Sequence, residues 1–179
     1  MKNCKENICR IAVTGPESTG KSWLAEKLAR HYNTVWVPEY ARIYLAKNDG
    51  KYVFDDIVKI AKGQKLWEEN FLNKADGLLF ADTDAIVTKI WSEVVFGKCD
   101  EWILHQIENN PYDMYLLCYP DLPWQPDPLR ENPDNRLELF ELYKNELVSR
   151  KLNYKVIKDK GTKRLQNAID AVDNLFGYK

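Results

Sequence analysis

The stretch from Ile11 to Leu28, IAVTGPESTGKSWLAEKL, limits what this chain can fold into more than any other. Within it, Gly15-Pro16-Glu17-Ser18-Thr19-Gly20-Lys21-Ser22 fits the pattern G-x-x-x-x-G-K-[ST] in full. An apolar run precedes the pattern, and a segment with Leu24, Leu28 and Ala29 at helical spacing follows it. Glycines let a backbone turn tightly and aim N–H groups at phosphate oxygens, and the next helix adds the positive end of its dipole. Lys21 then supplies a mobile cation for the β- and γ-phosphates, and the Ser22 hydroxyl a ligand for Mg²⁺. The loop and the first turn after it, Gly15 to Trp23, are read as a nucleoside-triphosphate site.

Strand-like runs rich in β-branched residues recur at Ile8–Val13, Thr34–Val37, Gly77–Ala81, Met114–Cys118 and Tyr154–Ile157. Between and after them, helical spacing appears at Ile57–Leu72, Ile86–Val95, Leu137–Leu147 and Leu165–Phe176. Alternation of this kind predicts βαβ units, hence a parallel sheet with helices on both faces. With 179 residues and no Gly/Ser linker or internal repeat, residues 1–179 are expected to form one domain. A net charge of -1 argues against nucleic acid or membrane as an electrostatically held partner. No stretch has the form of a membrane span or a signal peptide, so a cytoplasmic chain with reduced cysteines is expected. Cys4, Cys9, Cys99 and Cys118 show no metal-ligand spacing.

Phosphoryl transfer needs a further carboxylate for the metal, usually at the end of a neighbouring strand. The segment LLFADTD offers Asp82 directly after an apolar run and Asp84 two residues on. Asp82 is the expected metal-side carboxylate; Asp84 can serve the acceptor or cap the following helix. The segment VWVPEYAR places Glu39, Tyr40 and Arg42 after the second strand, where a carboxylate can take a proton from an attacking hydroxyl. A surface ion pair between Glu39 and Arg42 is the plain alternative.

Six of the eight prolines lie between Pro111 and Pro133. A connection like this within a compact domain is either disordered or functional, and residues 120–136 read as a lid. Asp127, Arg130 and Arg136 are its candidate contacts to substrate and transferring phosphate, and Trp124 offers a face for a planar or cationic ring. Two P-x-x-P repeats in the same segment also fit an adaptor ligand. Thr162, after the last strand, is expected near the nucleotide base. A motor ATPase would need further subdomains and arginine fingers, for which the length leaves little room.

With GPESTGKS, VPEYAR, ADTD and DLPWQPDPLREN in this order, the chain resembles the ribosylnicotinamide kinase domains of the NadR type from about Ile8 to the final helix. The resemblance implies a P-loop kinase fold, with the acceptor among the segments carrying Glu39, Asp84 and Trp124. It also implies ATP as phosphate donor and nicotinamide riboside as acceptor. The expected sheet order is 2-3-1-4-5. An adenylyltransferase signature, H-x-G-H, is absent, since His31 and His105 are the only histidines. A kinase for another nucleoside or a vitamin alcohol such as thiamine, and a nucleotide sensor without turnover, remain as alternatives. Oligomeric state is left open.

Overall fold

A computed structural model describes residues 8–127 and 129–177. Five parallel strands form one sheet: β1 (Cys9–Thr14), β2 (Trp36–Val37), β3 (Leu78–Asp82), β4 (Met114–Cys118) and β5 (Tyr154–Ile157). Their order is β2-β3-β1-β4-β5, as expected. Seven helices are found among the described residues: α1 (Lys21–His31), α2 (Tyr40–Ala46), α3 (Phe54–Leu72), α4 (Ala85–Phe96), α5 (Glu101–Asn109), α6 (Arg136–Ser149) and α7 (Gly161–Phe176).

The central strands are apolar on both sides because both faces are covered. From β1, Ile11 and Val13 point into one core with Leu24 and Leu28 of α1 and Ala168 and Val172 of α7. Ala12, between them, joins the opposite core with Ile86 and Ile90 of α4, Ile103 of α5 and Leu147 of α6. Each Val, Leu or Ile among them, fully buried, contributes roughly 1.5–3 kcal/mol relative to exposure.

Three strands start later than expected, β1 at Cys9 by one residue and two others for visible reasons. Thr34 donates its hydroxyl to Leu78 O at 2.6 Å and accepts from Asp76 N, so it closes a turn and β2 begins at Trp36. Gly77 has φ 66, which no extended strand allows, and β3 begins at Leu78. Cys99 and Cys118 are free thiols, whereas Cys9 departs from expectation and is disulfide-bonded; Cys4 lies outside the described residues. No described helix is long and apolar enough to cross a membrane.

Candidate active site

The phosphate loop leaves β1 at Thr14 and enters α1 at Lys21. Gly15 holds φ 125, and a Cβ there would stand 2.9 Å from Cys118 O, so neither the backbone nor the neighbouring strand admits a side chain. Gly20 caps α1 at φ 77 and makes no side-chain bond. No acidic residue occupies the first turn of α1, which leaves its positive end open to an anion. Thr19 Oγ1 and Lys21 Nζ both donate to Pro16 O, at 2.7 and 2.9 Å. These bonds fold the lysine back along the loop it serves.

At the adjoining end of β3, Asp82 is buried and its carboxyl is pushed up to about 6. Burial is the main cause and the Glu39 carboxylate the second; Lys21, the Ser22 hydroxyl and Arg42 oppose them. Thr83 follows at φ 95, a strained conformation for a β-branched residue, and separates the roles of the two aspartates. Asp84 caps α4, its Oδ1 accepting from Val87 N at 2.9 Å, and burial pushes its carboxyl to about 6 as well. Asp82 Oδ1 and Thr83 Oγ1 are buried with no protein hydrogen bond, and Thr14 Oγ1 faces the Asp84 carboxyl without a full one. Orphaned oxygens of this kind, beside the Ser22 hydroxyl, suit a hard cation that keeps most of its own water.

Across from the loop, Glu39 is the N-cap of α2 and its Oε2 pairs with Arg42 Nε at 3.1 Å. Arg42 also pairs with Asp127 Oδ2 at 3.0 Å, joining the second-strand segment to the lid. A cavity of about 400 Å³ runs between the two sides. The phosphate loop through Trp23 lines it, together with Glu39, Arg42, Arg130, Tyr52, Trp91 and Glu131. Tyr52 and Trp91 meet edge to face at 4.8 Å between centroids. Trp91 Nε1 donates to the Tyr52 hydroxyl at 3.0 Å, and that hydroxyl donates to Glu131 Oε2 at 2.8 Å.

Other expected contacts do not line this cavity. Trp124 lies outside it, with the Arg136 guanidinium 5.8 Å from its ring centre. Arg136 itself donates to Ser18 O and Leu122 O, fastening the lid to the phosphate loop. Tyr40 packs edge-on against Trp67 in a core cluster with α3. Asp84 faces a smaller cavity lined by Glu68 and Tyr112, and Thr162 is exposed near the start of α7. Tyr52 and Trp91 were not legible as cavity residues, because aromatic positions on a helix or beside one read as core.

The Pro-rich segment after β4 is tied to the phosphate loop. Glu17 Oε2 accepts from Glu131 N and Asn132 N, both at 3.0 Å, and Ser18 Oγ accepts from Gln125 N at 2.9 Å. Buried Arg164 of α7 ties the roots of three loops together. It donates to Thr19 O of the phosphate loop, to Tyr119 O and Asp121 Oδ1 after β4, and to Asp159 O after β5. Asn73-Lys74-Ala75-Asp76 has the N-K-x-D form of a guanine-reading motif. It precedes β3, whose first residue pairs with Cys9 at the start of β1, so it lies at the sheet edge opposite the phosphate loop.

A family model described as an AAA domain (AAA_28) matches residues 10–164. The trifunctional NAD biosynthesis/regulator protein NadR of Escherichia coli (strain K12) is 31% identical over 124 residues, covering 67% of this chain and 30% of that protein. A solved NadR protein in complex with NAD and AMP-PNP matches with a TM-score of 0.82 at 28% identity, over 98% of this chain and 51% of that one. A second, in complex with NR, gives a TM-score of 0.82 at 25% identity, over 98% and 52%. The chain therefore spans less than a third of the curated relative and about half of each solved chain.

Proposed function

Since this chain belongs to the AAA domain family, with its phosphate loop inside the matched span, we propose that it transfers the γ-phosphoryl group of ATP to the 5′-hydroxyl of nicotinamide riboside. The product is nicotinamide mononucleotide, in NAD salvage, and residues 1–179 act as one cytoplasmic kinase domain. The observation that carries the reading is the single cavity joining the phosphate loop to Glu39, Arg42 and the Tyr52–Trp91 pair. The likeness to NadR proteins, one of them solved with NR, supports the acceptor.

In this mechanism the loop amides and the α1 N-terminus hold the ATP phosphates, and Lys21 leaves Pro16 O to neutralise charge on the γ-phosphoryl group. Mg²⁺, held by the Ser22 hydroxyl and by Asp82 directly or through water, would neutralise further phosphate charge. Glu39 accepts the proton of the 5′-hydroxyl as its oxygen bonds to the γ-phosphorus and the bond to the ADP oxygen breaks. Arg42 holds Glu39 in place and Arg130 reaches the transferring group from the lid. The lid excludes water, which would otherwise compete as the acceptor.

The pyridinium ring of nicotinamide riboside is flat and positively charged. Trp91 and Tyr52 take the ring-reading role that the sequence suggested for Trp124, with Glu131 adding a carboxylate nearby. An indole face attracts such a cation by about 0.5–2 kcal/mol. Nicotinamide riboside should therefore raise ADP release far above the background of ATP alone, and neutral nucleosides should not. Trp91→Ala should raise KM for nicotinamide riboside about 3- to 30-fold with KM for ATP unchanged. ADP release that ignores nicotinamide riboside, or that favours a neutral nucleoside, contradicts the proposal.

A further inference from the structure

Glu39 stands where a helix normally needs its own side chain. As N-cap of α2 it would ordinarily turn its carboxylate back onto the first free amides of the helix. It makes no such bond, and its carboxylate faces the cavity and Arg42 instead. The first of the four free amides of α2, that of Tyr40, is satisfied from another element. Gln64, buried on α3, accepts from Tyr40 N at 2.7 Å through Oε1 and donates to Pro38 O at 3.1 Å through Nε2. Those two groups belong to the peptide units on either side of Glu39. One side-chain amide therefore grips both ends of the residue that faces the cavity. Gly63, next to Gln64, lets the chain come this close: a Cβ there would stand 2.1 Å from the Tyr40 ring.

We propose that Gln64 is a positioning residue for phosphoryl transfer, capping α2 in place of Glu39 and so holding the Glu39 carboxylate toward the acceptor hydroxyl. The inference rests on the reading of Glu39 as the proton acceptor. Gln64 touches neither substrate in this account; it acts only through the backbone of Glu39. Methionine at this position keeps the length and shape of the side chain and removes both hydrogen bonds.

In Gln64→Met, kcat with nicotinamide riboside should fall roughly 10- to 100-fold, the scale of a small misplacement of a reacting group, while KM for ATP stays within about twofold. In the Glu39→Gln background the same change should lower kcat by no more than about twofold, because the group being positioned is already gone. In the wild-type protein the Tyr40 amide should exchange slowly with solvent deuterium. Gln64→Met turning over within twofold of wild type beside a slow Glu39→Gln overturns the inference alone, and so do fully additive losses. If Gln64→Met does not fold, free exchange of the wild-type Tyr40 amide overturns it and slow exchange upholds the clamp. A Glu39→Gln enzyme as fast as wild type overturns the base assignment itself, and this inference with it.

Discussion

Asp82 is held at the base of the site at the expense of the empty fold. Its folded-state value of about 6 lies above the ordinary aspartate value of 3.8, so the fold favours the protonated form. The stability that goes with protonation is fully present below pH 4 or so and is lost as pH rises through about 6. At pH 8 the carboxylate is charged in both states and burying it costs on the order of 2–3 kcal/mol. Asp82→Asn should therefore raise the melting temperature of the nucleotide-free protein at pH 8 by roughly 5 °C, and change it little at pH 4.5. The same variant should lose most of its Mg²⁺-dependent turnover. A variant destabilised at pH 8 and indifferent at pH 4.5 would show that the charge stabilises the fold. Residues whose place follows from local spacing were legible in advance: Gly15 to Ser22 between strand and helix, and Asp82 at the end of its strand. Residues whose task depends on orientation were not. Trp124 could be counted as an aromatic on a loop, but its place beside Arg136 depends on where α6 starts. Trp91 sits in an apolar helix and carries nothing that separates it from core until Tyr52 is brought beside it.

Loops gain their precision from the elements that anchor them, and Arg164 of α7 is the clearest case. Its buried guanidinium bonds Asp121 at 2.8 Å and also reaches carbonyls of the phosphate loop, the β4 end and the β5–α7 connection. Asp121→Ala would leave that cation buried and unpaired, a loss of about 3 kcal/mol at the low end for a broken buried pair. The melting temperature should drop by roughly 6–12 °C, with KM for ATP raised because Thr19 loses its support. A change below about 2 °C would mean that Arg164 is satisfied by the carbonyls alone. Elements that the sequence reading passed over share this dependence on context. The helix α2 has seven residues, directly after Pro38 and Glu39, and is capped from α3 rather than by its own N-cap. The helix α5 had readable signals, Asp100 accepting from Trp102 N at its start and Ile103 and Ile107 on its buried face. The sequence reading passes from Val95 to Met114 without a helix.

For the whole molecule, the order β2-β3-β1-β4-β5 sets β1 between the strand that ends in Asp82 and the strand that feeds the lid. All five strands run the same way, so the phosphate loop, both aspartates, Glu39 and the lid root emerge at one edge, where ligands of parallel sheets bind. The parallel sheet followed from alternating apolar runs and one glycine-rich loop, and its strand order from the resemblance to P-loop kinases. What closes the site did not follow, since the lid is fixed by bonds such as Glu17 to Glu131 N and Tyr52 to Glu131 that join distant segments. The central claim is that this edge phosphorylates the 5′-hydroxyl of nicotinamide riboside. Phosphorus NMR of a reaction containing the protein, Mg²⁺, ATP and nicotinamide riboside tests it most directly. A phosphomonoester resonance of nicotinamide mononucleotide should grow in step with ADP, and neither should appear without the riboside. ADP appearing with inorganic phosphate and no phosphomonoester would contradict it.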